Sequence, residues 1–185
     1  MNTLMNTLIK KFTILVTISL SVLLTISCAD TSMEKNTVAL ADIQPLKIAY
    51  LNNPKTNTYT SGQPTKEQIA NLGKAGIQHI IDLRPLGENT WDEAPVAQAA
   101  NIQYHRLPIA GIPDLNAKNA MKLSQLLTEL QGQSVLLHCA SGNRVGALTT
   151  LSESLKGSSI DEAITEGKRW GLTRLEPVIR DVLSK

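Results

Sequence analysis

The residues with chemical potential lie together in one stretch, Ser134-Val-Leu-Leu-His-Cys-Ala-Ser-Gly-Asn-Arg-Val-Gly146. Residues 134–137 are an apolar run after a polar turn, which predicts a short buried strand. His138 and Cys139 stand at its C-terminal end. Ala140, Ser141, Gly142 and Asn143 make a tight loop of small residues, and Arg144 opens the next helix. Each part of this arrangement favours an anion. Loop N–H groups and a helix N-terminus attract negative oxygens, and an arginine grips an oxyanion through two parallel hydrogen bonds. The same positive setting favours Cys139 as a thiolate nucleophile. Gly142 permits backbone angles that a side chain would forbid. A cysteine at a strand end is by itself ordinarily an inert buried residue. The neighbouring histidine, glycine and arginine at a strand-to-helix turn change that reading to an anion-binding site.

Positioning such a site requires a sheet and flanking helices. Residues 48–51 read as a first short strand, 52–57 as turn-rich, and 58–61 as a second extended piece ended by Gly62 and Pro64. Thr65 and Gln68 form a capping box, followed by Ile69, Leu72 and Ala75 on an apolar helix face stopped by Gly76. Residues 77–83 are an isoleucine-rich strand closed by Pro85, with the β-branched density of a central parallel strand. A loop at 87–92, a short helix at 94–100, a strand at 102–107 and a loop at 109–115 follow. In 116–131, Ala120, Leu123, Leu127 and Leu130 recur at helical spacing. Residues 145–155 form the helix after the cysteine loop. Ser159 with Glu162, and Thr173 with Glu176, open two more helices, the last with Leu175, Ile179, Val182 and Leu183 on its apolar face. Pro177 is tolerated in that helix's first turn. Strands alternating with helices imply an α/β domain with a central, mostly parallel sheet. Ligands in such folds bind outside the C-terminal strand ends, where Cys139 is expected.

The first 27 of the 185 residues stand apart from this pattern. Lys10 and Lys11 precede the apolar run 12–26, and Ser27-Cys28 follow, which is the layout of an exported protein's signal peptide. The run is short for a membrane span. Leu24-Thr-Ile-Ser-Cys28 resembles a bacterial lipobox, which implies that Cys28 is lipidated and that the protein is a membrane-anchored lipoprotein of the cell envelope facing the periplasm, with plain secretion or an uncleaved N-terminal anchor as the alternatives. Residues 28–45 are polar and small and read as a tether, with the domain at 46–185. Of the 18 basic residues two lie in the leader, so the remainder balances the 16 acidic ones. That balance offers no electrostatic footprint for nucleic acid. With Cys28 lipidated, Cys139 is the lone thiol, a reactive candidate in an oxidising compartment. No zinc or calcium ligand spacing is present, no cofactor is implied, and His79 and His105 read as plain strand residues.

His138-Cys-Ala-Ser-Gly142 with Arg144 resembles the His-Cys-x-x-Gly-x-x-Arg-Ser/Thr motif of the tyrosine and dual-specificity phosphatases. Ser61-Gly-Gln-Pro-Thr65, Ile80-Ile-Asp-Leu-Arg-Pro85 and Tyr104-His-Arg-Leu-Pro108 are similar to a bacterial branch, the phosphatase-like domain found beside β-lactamase-like hydrolases. The resemblance implies a three-layer dual-specificity-phosphatase-like fold. It also implies hydrolysis of phosphate monoesters through a phosphocysteine on Cys139, with Arg144 and the 140–143 loop holding the phosphate. His138 would orient the loop, and Asp114, the aspartate of the 109–115 loop, would be the general acid. Aspartate is also a preferred helix cap. Asp82 and Arg84, at a neighbouring strand end, are candidate pocket residues, with a local ion pair as the ordinary alternative. Glu88 reads by default as a solvated loop acid. Here Arg144 comes one residue sooner than in the phosphatases, and Val145 replaces the Ser/Thr that helps the thiolate leave. The shortened loop is similar in length to that of many rhodaneses, which carry a persulfide on cysteine. A sulfurtransferase and a non-catalytic phosphate-binding module are therefore the alternative readings.

Overall fold

The computed structural model describes residues 37–185; the leader, with Cys28, lies outside the described residues. Five strands, β1 (Asn52–Lys55), β2 (Thr58–Ser61), β3 (His79–Asp82), β4 (Gln103–Arg106) and β5 (Val135–His138), form one sheet in the order β1-β2-β5-β3-β4. Only β1 is antiparallel to its neighbour; β2, β5, β3 and β4 run parallel. The helices are α1 (Leu40–Ile43), α2 (Lys66–Lys74), α3 (Ala94–Ala99), α4 (Ala117–Glu129), α5 (Asn143–Leu155), α6 (Ile160–Arg169) and α7 (Glu176–Leu183).

Alternation along the strands divides the interior into two cores. Ile81, Leu83, Val135 and Leu137 meet Leu123 of α4, Leu148 of α5, Ile164 of α6 and Ile179 of α7. Tyr59, Ile80 and Leu136 face the other way, onto Ile43, Ile69, Leu72 and Ala97 of α1 to α3. The result is the expected three-layer α/β fold with a central, mostly parallel sheet. β5 lies between β2 and β3 and is buried at every residue. The capping boxes form as read. Thr65 Oγ1 accepts from Gln68 N–H at 3.1 Å and Gln68 Oε1 from Thr65 N–H at 2.9 Å, and Ser159 and Glu162 exchange the same bonds.

Three expectations are corrected. Residues 48–51 are not a strand, because Lys47 and Tyr50 take left-handed φ angles of 52° and 56° that no strand contains. The turn-rich Asn52–Lys55 is the strand instead. It tolerates Pro54 because it is an edge with an irregular register, and the Asn53 side chain donates to the Lys55 and Thr58 carbonyls. The tether is also shorter than expected. Val38 and Ile43 are buried, and the Tyr59 hydroxyl donates to the Val38 carbonyl at 2.7 Å. Finally, α7 begins at Glu176 rather than at Thr173, whose carbonyl accepts from Glu176 N–H at 3.1 Å but whose side chain does not cap the helix.

α5, the helix behind the cysteine loop, is buried from Val145 through Ser152. It crosses α6 at backbone contact. A β-carbon on Gly146 would lie 2.1 Å from Leu172 N and 2.7 Å from Gly167 O. Helix propensity alone would favour Gly146→Ala by about 1 kcal/mol. The clash is with main chain and cannot be relieved by a rotamer change. Gly146→Ala is expected to destabilise by about 1–3 kcal/mol in urea unfolding, and a stabilised variant would contradict this packing.

Candidate active site

β5 delivers His138 and Cys139 to the C-terminal edge of the sheet, in register with Ser61 of β2 and Asp82 of β3. The chain then turns through Ala140, Ser141 and Gly142 into α5. Ser141 bridges Gly62 from the β2 side. Gly142, the N-cap of α5, has φ 75°, and it brings no side chain to bond the first-turn N–H groups. A helix N-terminus without a capping side chain attracts anions. Cys139 is 1% exposed and lies with Ala140, Ser141, Asn143, Arg144, Arg174 and Leu175 along an open cleft of about 280 Å³. The thiol, the loop and Arg144 are thus brought together as expected.

Arg144 does not stand alone. Its Nη2 donates to Glu88 Oε2 at 2.6 Å, across from the loop after β3, and Nη1 is buried with no hydrogen-bond acceptor. Glu88, the default surface acid, therefore sets the direction of the guanidinium. A smaller apolar hollow lined by Ile109, Gly111, Ile112, Leu115, Arg144 and Leu175 continues the cleft. Asp114 sits in the 3-10 turn Ile112–Asp114, where its Oδ2 accepts from Ala110 N–H at 2.8 Å. The cap of α4 is Asn116, not Asp114, with Asn116 Oδ1 accepting from Asn119 N–H at 3.0 Å.

Asp82, Arg84 and His138 are brought together, but beneath the loop rather than in the cleft. Arg84 donates to both oxygens of Asp82 at 2.9 Å and, through Nη2, to Glu93 Oε2. His138 Nε2 lies 2.8 Å from Glu93 Oε1, and the Tyr104 hydroxyl donates to Asp82 Oδ2 at 2.7 Å. Asp82, Glu93 and His138 are all 0% exposed. Asp82 and Arg84 form the local ion pair weighed against the pocket reading and do not line the cleft. The register that pairs Asp82 with His138 turns all these polar groups into one buried network.

Burial pushes the Asp82 carboxyl up, but the bonds from Arg84, the neighbouring His138 ring and the bond from Tyr104 override it and hold the carboxyl at about 2. Burial also raises Tyr104, and Asp82 and Glu93 raise it further. Ligand atoms of Asp82, Glu93 and His138 come within 4.8 Å of one another, a grouping the spacing did not reveal. The Arg84 guanidinium already donates to both carboxylates, so the cluster carries its own cation.

Sequence reasoning missed two residues. Glu93, between Arg84 and His138, gave no local signal. Arg174, on the cleft wall, was read only as part of a helix start. Asn143, expected at the anion, contributes its side chain elsewhere. Its Oδ1 accepts from Thr173 N–H at 3.0 Å and Leu175 N–H at 3.3 Å, tying the segment that bears Arg174 to the first residue of α5. His79 and His105 are strand residues whose rings meet, Nδ1 to Nε2, at 3.1 Å.

No family model matches the chain. It is 32% identical over 102 residues to a beta-lactamase hydrolase-like protein of Xylella fastidiosa and 33% identical over 103 residues to one of Agrobacterium fabrum, matches that cover 52% of this chain. The chain spans 23% of the length of these relatives. Among solved structures, a DUF442 protein of Shewanella putrefaciens CN-32 superposes with a TM-score of 0.59 at 18% identity, covering 79% of this chain and 97% of that one. The core catalytic domain of the PP-IP phosphatase SIW14 from S. cerevisiae gives 0.57 at 16%, covering 74% and 85%. TpbA of P. aeruginosa, solved with pTyr, gives 0.54 at 18%, covering 75% and 89%. The fold is therefore one shared with these solved proteins, the catalytic core of a PP-IP phosphatase among them.

Two outcomes follow from the buried network. Arg84→Met strands two buried carboxylates and is expected to destabilise by about 3–5 kcal/mol in denaturant titration. The Asp82 carboxyl is lower in the folded chain than its ordinary 3.8, so its contribution, about 2 kcal/mol, is complete above that pH. It is lost as pH falls through about 2. Unfolding midpoints measured between pH 5 and 2 should fall steeply for the native chain and more gently for Asp82→Asn. Equal slopes would contradict the assignment.

Proposed function

We propose that this protein is a cysteine-dependent hydrolase of phosphate monoesters. The observation that carries the reading is Cys139 at the floor of a cleft shared with Arg144, at the uncapped N-terminus of α5. The thiolate attacks phosphorus, the S–P bond forms and the P–O bond to the leaving group breaks. Arg144 and the loop N–H groups stabilise the charge on the equatorial oxygens, with Glu88 keeping the guanidinium aligned. Water then attacks phosphorus, the S–P bond breaks, and inorganic phosphate and the thiolate are released.

The proton for the leaving oxygen is assigned to Asp114, whose carboxylate then takes a proton from the attacking water in the second step. Of the nearby acids, Glu88 is committed to Arg144, and Asp82 and Glu93 are sealed in the network. Asp114 is partly exposed on the turn that borders the cleft. His138 acts through position: its bond to Glu93 anchors the residue that precedes the thiol. One neighbour is a PP-IP phosphatase and another was solved in complex with pTyr, which leaves the substrate class of this chain to its own residues. The reading places the reaction at the cell envelope, on a domain anchored through lipidated Cys28.

The test is hydrolysis of p-nitrophenyl phosphate by the full chain under reducing conditions. Turnover should vanish in Cys139→Ser. It should fall about a hundredfold or more in Arg144→Lys, because lysine keeps the charge but not the bidentate fork. Asp114→Asn should slow alkyl phosphates far more than p-nitrophenyl phosphate, whose phenolate leaves without much help. Turnover that survives Cys139→Ser, or a Cys139 that takes sulfur from thiosulfate and leaves phosphate esters intact, would overturn the reading.

A further inference from the structure

Arg174 is an exposed arginine on the cleft wall, and three observations separate it from an ordinary surface cation. Its backbone is placed by the phosphate loop itself, since the N–H groups on either side of it, of Thr173 and Leu175, both donate to Asn143 Oδ1 at the start of α5. It forms no ion pair among the described residues, although acids are near in sequence. Glu176 pairs with Lys168 and Arg180, Asp161 with Arg180, and Glu166 with Arg169. And the cleft has depth. Cys139 is 1% exposed at the floor, the Arg144 side chain is 20% exposed, and Arg174 is at the open mouth.

Charge sharpens the point. Arg144 is already matched by Glu88, and no acidic residue lines the cleft. A phosphoryl group over Cys139 is served by Arg144 and the N-terminus of α5 at the floor. The cation at the mouth meets whatever the substrate carries above that group, and an unpaired arginine matches a phosphate there, through two parallel hydrogen bonds.

We propose that the substrate carries a second phosphate beside the scissile one, as a diphosphate or a vicinal bisphosphate, and that Arg174 receives it. Arg174 is then the specificity-determining residue of the cleft, held in place by Asn143. The inference rests on the phosphatase reading, because it takes the first phosphate to lie over Cys139.

The test compares inorganic phosphate and inorganic pyrophosphate binding by calorimetry, at one fixed ionic strength, to the full chain carrying Cys139→Ser. Pyrophosphate is expected to bind about tenfold tighter than phosphate. Arg174→Ala should abolish most of that preference, and Arg174→Lys should retain part of it. A preference unchanged by Arg174→Ala, or an equal loss for both anions, would overturn the second-phosphate assignment while leaving the phosphate site itself standing. Failure of the Cys139→Ser chain to bind either anion would overturn the site and the inference together.

Discussion

The constraint on which the site depends is the burial of charge under it. Arg84, Asp82, Glu93 and His138 are withdrawn from water at the C-terminal edge of the sheet. The guanidinium and each carboxylate would cost several kcal/mol to bury alone. They are tolerated because each meets a partner: two carboxylates around one guanidinium, and the imidazole on the outer carboxylate. The members come from the end of β3 and the loop after it, the N-cap of α3 and the last residue of β5. A shift of any of these elements would unpair a buried charge. That penalty fixes where β5 ends, and the next residue is Cys139. The thiol is thus located by groups that never touch the cleft.

A second constraint works from the other core. Gly146 of α5 and Gly167 of α6 pack so closely that neither has room for a methyl group. This draws the chain that follows α6 against the N-terminus of α5, where Asn143 secures it. The close crossing explains how residues distant in sequence come to share the cleft wall with the loop. Packing between glycines is a stability feature, and the placement of Arg174 beside the loop is one of its consequences. Glu88 plays the corresponding part from the β3 side by orienting Arg144.

The parts of the fold legible in the sequence were those set by local chemistry. The capping boxes at Thr65 and Ser159, the α4 period and the run from Ser134 to Gly146 all act over a few residues, and they stand where the pattern put them. Pro54 misled, because an edge strand is recognised by what pairs with it and not by its own residues. Asp82 and Arg84 were identified as a chemically significant pair, yet their direction depended on the register between β3 and β5, which no local pattern records. Glu93 and Arg174 were invisible for the same reason. Each acquires its partners only when elements far apart in the chain meet. Where Asn143 stands was legible, but its side chain serves the 173–175 segment.

The central claim is that Cys139 carries the phosphoryl group during turnover. Val145 is fully buried and offers no hydroxyl to assist release of a thiolate, so on this proposal breakdown of the intermediate is the slower step. The most direct measurement is acid quenching of the full chain during p-nitrophenyl phosphate turnover, followed by peptide mass spectrometry. The account predicts a phosphoryl group on the peptide containing Cys139, present within the first turnover and absent from Cys139→Ser. Release of p-nitrophenol with Cys139 unmodified throughout, or a phosphoryl group on another residue, would contradict it.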